Sequence, residues 1–300
     1  MATDQDPMVQ RRRLRVELRK AREAAGLTQK EVAPAMDWSL SKLIRIETGA
    51  VGISINDLKV MLQLYGVTDE SRIQSLIAMA RAAKEPAWWA PYKDAISPEF
   101  SSFLSYESAA SIIRNFEPIL VPGLLQTEEY ARATLTQLAP LSSTEADVLG
   151  AIDGLVELRM ERQERLSQRD EPPKIFLALD ESVLYRWVGG GPVMQRQLER
   201  IKAALTFPYF TIWIVPYRAG IYSKMRGPYV LLELPALGGN EDILYFEDFR
   251  GEEVIRDEFH DTAAYLEAFW TLEQIAYKNE DSIAIVDKAI ASLGNNEGNA

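Results

Sequence analysis

The sequence predicts a mainly α-helical protein, in which an N-terminal five-helix bundle precedes an α+β C-terminal domain. Three observations predict this class. The chain has 300 residues, which is more than one domain of ordinary size. Residues 13–84 carry apolar side chains at helical spacing, interrupted by capping residues and glycines. From Lys174 onward, β-branched and aromatic runs alternate with helical patterns. We therefore expect domains at 1–85 and 86–294, followed by a disordered tail at 295–300.

The first domain is predicted to contain five short helices. The first covers 13–25 and ends at Gly26, since glycine adopts the left-handed backbone that closes many helices. Thr28 and Glu31 have the spacing of a capping box, which begins the second helix. The other three are predicted to begin after Ser39, after Ser54 and at Glu70.

The second domain is predicted to combine strands and helices. Strands are expected at 174–180, 209–216, 228–234 and 242–247. Helices are expected at 103–115, 128–138, 145–169, 193–205, 257–278 and 281–293. Between the domains, residues 85–92 contain two prolines and three aromatic residues, which is typical of a hinge with packed rings.

Charge is distributed unevenly between the two domains. Residues 1–85 carry 14 Lys and Arg against 11 Asp and Glu, although the whole chain has a net charge of −11. Within residues 9–45 the basic residues outnumber the acidic ones by 10 to 4. The local charge of a docking face matters more for nucleic-acid binding than the net charge of the chain. The first domain is therefore a candidate for DNA binding, and a solvated basic helix face is the alternative.

The composition excludes several classes of function. The chain has no cysteine and one histidine, so thiolate metal sites, cysteine nucleophiles and most catalytic dyads lack their residues. We expect no enzyme activity, no metal and no cofactor. No apolar run approaches the roughly 20 residues of a membrane span, and the acidic N-terminus does not resemble a signal peptide. These features predict a soluble cytoplasmic protein.

The second and third helices are joined by about three residues, which is typical of a helix-turn-helix. The stretch from Gly26 to Gly49, GLTQKEVAPAMDWSLSKLIRIETG, resembles the helix-turn-helix of the Xre and phage-repressor family. The likeness includes the Thr-Gln start of the second helix and the Arg-Ile-Glu-x-Gly end of the third. One departure is Asp37–Trp38, where the family usually has glycine followed by a small apolar residue. The resemblance implies a repressor-like bundle that binds double-stranded DNA.

The third helix is predicted to read bases in the major groove. Its buried face holds Leu43 and Ile46, and the opposite face would meet DNA. An arginine suits guanine, a leucine suits a thymine methyl group, and serines suit either base type. The predicted base contacts are Ser39, Leu40, Ser41 and Arg45. The predicted phosphate contacts are Thr28, Gln29, Lys42, Thr48, Arg13 and Arg22.

Two of these side chains, and the neighbouring Glu47, invite a structural interpretation. Thr28 and Ser39 also serve as helix caps, a role that is compatible with DNA contact. A carboxylate at Glu47 would be repelled by phosphate unless it were paired. We therefore expect Glu47 to pair with Arg19 or Arg22 and to orient the third helix.

The second domain also has recognisable segments. They are SYESAASIIRNFEPILVPGLLQTEEYARA, RMERQERL, DESVLYRWVGGGPVMQRQLERI, IVPYRAG and DSIAIVDK. These are similar to the C-terminal domain of actinobacterial Xre-type regulators of the WhiJ-like, antitoxin-like group. The resemblance implies a DNA-binding regulator that is commonly paired with a small partner protein encoded next to it.

The aromatic residues of the second part of the chain leave two interpretations open. Together they could line a pocket for a partner or a small-molecule effector, or they could form ordinary core. The candidate pocket residues are Trp88, Trp89, Trp187, Trp213 and Tyr217. The acidic charge of this domain suits a basic protein partner.

These observations predict a homodimeric, sequence-specific transcriptional regulator of double-stranded DNA, whose C-terminal domain binds a small partner protein. A small-molecule-sensing repressor of the same DNA-binding type is the first alternative. A protein-interaction module without DNA affinity is the second.

Overall fold

A computed structural model describes residues 7–49, 51–138, 145–222, 227–234, 242–248, 251–256 and 259–296. Contacts within the chain divide it into two compact units. The first unit runs to Ala90, and the second begins at Pro91. The predicted disordered tail falls largely at residues 297–300, outside the described ranges, whereas residues 295 and 296 end a helix.

The first unit is the predicted five-helix bundle, and this prediction is confirmed. Its helices are α1 (Pro7–Ala24), α2 (Gln29–Ala35), α3 (Leu40–Glu47), α4 (Ile55–Leu64) and α5 (Glu70–Ala82). α1 begins six residues before its predicted start. A proline at the first helical position explains the early start, because its fixed φ suits a helix and its missing N–H has no partner there.

Side-chain caps fix where α3 and α4 begin. The hydroxyl of Ser39 accepts a hydrogen bond from the backbone N–H of Lys42 at 3.2 Å. The hydroxyl of Ser54 accepts one from the N–H of Asp57 at 3.0 Å. Each cap satisfies an N–H that has no partner inside its own helix, which stabilises that helix start by about 1 kcal/mol.

The turn between α2 and α3 depends on the backbone of Asp37. This residue has a φ of 54°, in the left-handed region that glycine adopts most easily. The N–H of Trp38 donates to the carbonyl of Ala33 at 2.8 Å, and the N–H of Asp37 donates to that of Pro34 at 3.1 Å. These two bonds form the Schellman motif that ends a helix. Aspartate tolerates this conformation better than most residues, so the turn forms without the glycine usual in similar proteins.

One apolar core holds the bundle together. All five helices contribute buried side chains to it, among them Leu18, Val32, Leu43, Leu58 and Leu76, each at most 1% exposed. Trp38 and Met36 pack against the edge of the same core. α3 is therefore fixed on one side by packing, and its other side is exposed.

The second unit contains the remaining helices and a sheet. Its helices are α6 (Pro98–Glu107), α7 (Glu128–Leu138), α8 (Glu145–Ser167), α9 (Ser182–Tyr185), α10 (Gly191–Ala204), α11 (Phe259–Ile275) and α12 (Asn279–Asn296). Its strands are β1 (Ile112–Glu117), β2 (Lys174–Asp180), β3 (Phe210–Val215), β4 (Tyr229–Glu233), β5 (Asp242–Asp248) and β6 (Gly251–Arg256). The predicted α+β class is confirmed.

The six strands form one mixed sheet in the order β3-β2-β1-β4-β5-β6. β1, β2 and β3 are mutually parallel, whereas β4, β5 and β6 continue the sheet antiparallel. One helix prediction was wrong at its end, and one strand was missed. Residues 112–115, predicted as the end of a helix, form most of the central strand β1, and β6 was not predicted as a strand.

A buried apolar layer covers one face of the sheet, and polar contacts hold the segment after its central strand. On one face, α11 packs its Phe269 and Leu272 against Trp213, Tyr229 and other strand side chains. The segment that follows β1 is held by α8, where the amide of Gln163 donates to the carbonyls of Gly123 at 2.7 Å and Gln126 at 2.9 Å. No helix within the described ranges is long and apolar enough to cross a membrane.

Candidate nucleic-acid interface

α3 has one buried side and one exposed side. Leu43 is fully buried and Ile46 is 4% exposed, so both face the core. The four side chains predicted to contact bases, Ser39, Leu40, Ser41 and Arg45, are all exposed. This division follows the helical period, because positions 43 and 46 lie on the same side of one turn. The structure therefore brings the predicted base-contacting residues together on one open surface.

Arg45 is well suited to meet a ligand. Its side chain is exposed in the last turn of α3, and no described residue forms a hydrogen bond or an ion pair with its guanidinium group. Its five N–H donors are therefore free to form a bidentate contact with a guanine edge or a phosphate.

One exposed residue of this surface was missed by the sequence analysis. Ile44 is 38% exposed and Leu40 is 37% exposed, and the two lie one turn apart on α3. An exposed apolar pair at this spacing offers contact area for thymine methyl groups. The sequence could have predicted this exposure, since the helical period places Ile44 on a different side of α3 from Leu43 and Ile46.

Behind this surface, a buried ion pair fixes the end of α3. The Arg22 side chain donates from Nε to Glu47 Oε1 at 2.6 Å and from Nη2 to Oε2 at 3.1 Å. Glu47 is 7% exposed and Arg22 is 8% exposed. The hydrogen bond to Glu47 raises the pKa of Arg22, which favours the charged form of its guanidinium. The predicted pairing of Glu47 with a helix-one arginine is confirmed, and the partner is Arg22, since Arg19 pairs with Glu23 at 2.9 Å.

Gln29 joins the same network. Its side-chain amide donates to Glu47 Oε2 at 2.7 Å. Arg22 makes a further bond from Nη1 to the carbonyl of Leu27 at 2.9 Å. These contacts tie the end of α1, the start of α2 and the end of α3 to one carboxylate. The donors of Arg22 are thus used inside the protein, and we assign it to the orientation of α3 in place of the predicted phosphate contact.

The other predicted phosphate contacts lie on α1, at the start of α2, and on α3 with its C-terminal cap. Lys42 is exposed, its ammonium lies 3.8 Å from the centre of the Trp38 ring, and it is 3.9 Å from Asp57 Oδ2. Thr28 is exposed at the start of α2, where its N–H and its hydroxyl both donate to Glu31 at 2.8 Å. A cation–π contact at an exposed site is worth only about 0.5–1 kcal/mol, so the Lys42 ammonium can still turn toward an anion.

Thr48 and Arg13 complete the predicted phosphate contacts. The Thr48 hydroxyl donates to the carbonyl of Ile44 at 2.9 Å, and the Thr48 carbonyl accepts from Arg15 Nη1 at 2.9 Å. Arg13 is half-buried in α1. Arg15 therefore anchors the end of α3 to α1, a role that the charge pattern did not distinguish from a surface contact.

The five candidate pocket residues have different surroundings. Trp213 is 3% exposed and packs on Phe269 with ring centres 5.2 Å apart, so it belongs to the core of the second unit. Trp88 and Trp89 belong to the first unit and form an edge-to-face pair at 5.5 Å. Trp187 and Tyr217 remain as exposed rings of the second unit.

Two family models match the chain. A helix-turn-helix domain matches residues 13–73, which contain α2 and α3. A domain of unknown function, DUF5753, matches residues 100–288, which is more than half of the chain. No curated protein and no solved structure matches the chain. The helix-turn-helix match indicates a DNA-binding regulator.

Proposed function

The chain belongs to the DUF5753 family, and from its N-terminal helix-turn-helix domain we propose that it is a sequence-specific transcriptional regulator that reads double-stranded DNA through α3. The observation that carries this proposal is the exposed surface formed by Ser39, Leu40, Ser41, Ile44 and Arg45. It combines hydrogen-bonding groups, methyl groups and an exposed guanidinium on a helix that is held from behind by the Arg22–Glu47 pair. These are the groups that discriminate base pairs in the major groove.

The charges of the two domains support the same division of labour. The basic residues of the segment 9–45 favour contact with phosphate, whereas the excess of acidic residues in the second domain disfavours it. We propose that Lys42, Thr28 and Arg13 lie along the DNA backbone on either side of α3. Such contacts position a protein on the duplex but carry little sequence information.

We further propose that the protein acts as a homodimer. One short reading helix offers few base contacts, and a two-fold dimer doubles them on a pair of related half-sites. The similarity of the second domain to the WhiJ-like, antitoxin-like regulators supports a repressor whose DNA binding is modulated by a small partner protein. The −14 charge of residues 86–300, from 19 basic and 33 acidic residues, suits a basic partner.

The proposal is tested by selecting sites from a random duplex library with the full-length protein. The recovered site and a scrambled duplex of equal length are then titrated at physiological ionic strength, and the affinities are compared. We expect a preference of roughly 10³-fold or more, together with a steep loss of affinity as salt rises. Equal affinity for the two duplexes would remove sequence-specific recognition from the account.

A further inference from the structure

The three parallel strands of the second unit end at one edge of the sheet, and an exposed apolar side chain follows each of them. We call Ile119, Trp187, Tyr217 and Ile221 the carboxyl-edge patch. Their exposed fractions are 50%, 43%, 57% and 95%. Seven large apolar side chains are exposed among the described residues of this unit, and four of them lie in this patch. Such concentration is unusual for a surface that only meets water.

Contacts between the loops bring the patch together. The hydroxyl of Ser182 donates to the carbonyl of Pro118 at 3.1 Å, which joins the loops after β1 and β2. The N–H of Tyr217 donates to the carboxylate of Glu181 at 2.8 Å, which joins the loops after β2 and β3. The segment 217–222 also reaches β1, since the ring centres of Tyr222 and Phe116 lie 6.5 Å apart.

Aromatic faces and carboxylates lie side by side in this patch. The rings of Tyr185 and Tyr217 stack with centres 6.2 Å apart. The pKa of the Tyr217 hydroxyl is raised by burial and by the carboxylates of Asp180 and Glu181. The nearby Arg186 partly opposes that effect, and the Arg218 guanidinium lies over the Tyr277 ring at 4.9 Å. An aromatic face beside two carboxylates attracts a guanidinium or ammonium group.

The exposure of these side chains decides what kind of ligand fits. A small molecule needs a concave site that buries most of its surface, and side chains that are 43–95% exposed do not form one. The carboxylates also repel nucleic acid. We propose that the carboxyl-edge patch is the docking surface for a protein partner that presents an arginine or lysine flanked by apolar side chains. This inference rests on the partner-binding part of the proposed function, and it adds the surface and the chemistry of the partner.

The test uses the full-length protein and defined peptides. A phage library of random short peptides is selected on the immobilised protein, and a synthetic peptide of the recovered consensus is titrated by fluorescence anisotropy. The variants are Tyr217→Ala, Ile221→Ser and the nearly isosteric Asp180→Asn. Leu149→Ser is the matched control, because Leu149 is 53% exposed in the same unit but lies on α8.

We expect the recovered peptides to be rich in arginine or lysine next to apolar residues. Tyr217→Ala should weaken the peptide roughly tenfold or more, as expected for an aromatic residue at the centre of an interface. Ile221→Ser and Asp180→Asn should weaken it several-fold, and Leu149→Ser should bind like the wild type. Replacing the basic residue of the peptide with glutamine should remove the effect of Asp180→Asn.

Three results would overturn the proposal. The first is recovery of peptides without basic residues, and the second is equal peptide binding by all variants. The third is loss of dimerisation in the patch variants, because the patch would then be an interface between two copies of the chain. The same preparations are titrated with the selected duplex. A wild-type protein that discriminates the duplex but binds no basic peptide counts against the patch alone, whereas a wild-type protein that does not discriminate the duplex counts against the proposed function.

Discussion

Glu47→Ala tests whether the buried carboxylate holds the reading helix in place. This substitution removes three hydrogen bonds, two from Arg22 and one from Gln29. It leaves the buried Arg22 guanidinium with only the exposed carboxylate of Glu23, 3.8 Å away, as a counter-charge, and breaking a buried pair in this way typically costs about 3–5 kcal/mol. Because Arg22 keeps one bond to the carbonyl of Leu27, we expect about 3–4 kcal/mol, in the lower part of that range.

The loss of unfolding free energy is measured by hydrogen exchange of the backbone amides of α1–α3 in the full-length protein, because exchange at these amides reports the opening of the first unit. The control is Glu23→Ala, which removes an exposed carboxylate that pairs with Arg19 at 2.9 Å and lies 3.8 Å from Arg22, and it should change exchange much less than Glu47→Ala does. The double variant Arg22→Met/Glu47→Ala should recover much of the loss, because it removes the stranded charge. A Glu47→Ala variant as stable as the control, or a double variant no better than Glu47→Ala, would refute this reasoning.

Three further predictions concern the turn, the sheet and the assembly. Asp37→Gly should leave the stability of the bundle nearly unchanged. Asp37→Val should be less stable than Asp37→Gly by at least about 1 kcal/mol, because φ is 54° at this position. Chemical denaturation of both variants checks the order of their stabilities. Burial and the neighbouring Glu247 raise the pKa of Glu117 to about 8, so the folded state keeps a proton that the unfolded state loses above its ordinary pKa of 4.5. The second unit should therefore lose stability between pH 4.5 and 8, by up to about 1.4 kcal/mol per pH unit, and hydrogen exchange should show no such loss in Glu117→Gln. Light scattering should find two chains per selected duplex, and a monomeric complex on a site without two-fold repetition would end the dimer proposal.

Much of the first unit could be predicted from the sequence because its determinants are local. Ser39 and Ser54 are caps whose partners lie three residues away, and Gly26 marks a helix end through its own backbone. The pairing of Glu47 was predictable from electrostatics, although the choice between Arg19 and Arg22 needed the packing of α1 on α3.

The central strand of the second unit could not be predicted in the same way. β1 contains Arg114 and Asn115, both buried, which do not suggest a strand by their type. They are accommodated by partners far along the chain: Arg114 pairs with Glu233, and Asn115 donates to the carbonyl of Tyr229 at 3.0 Å. β6 was missed because its sequence, GEEVIR, has few β-forming residues and it pairs only at the edge of the sheet.

The candidate pocket shows the same limit. Composition could indicate that aromatic residues were abundant, but the choice between core and surface depends on which side of a strand or loop each ring occupies. The side chain of Trp213, within β3, packs in the core of the second unit. Tyr217 lies beyond the end of that strand and remains exposed. Predicting whether such a ring is buried therefore requires knowing at which residue the strand ends.

The most direct test of α3 as the reading helix is a titration of Arg45→Ala against the selected site and all its single-base variants. If Arg45 forms a bidentate contact with guanine, the substitution should weaken specific binding by about 1–3 kcal/mol and relax the preference at one base pair, leaving discrimination elsewhere intact. Arg81→Ala is the control, because Arg81 is an exposed arginine in the last turn of α5. Unchanged discrimination at every position in Arg45→Ala, or an equal loss in Arg81→Ala, would contradict the assignment of base reading to α3.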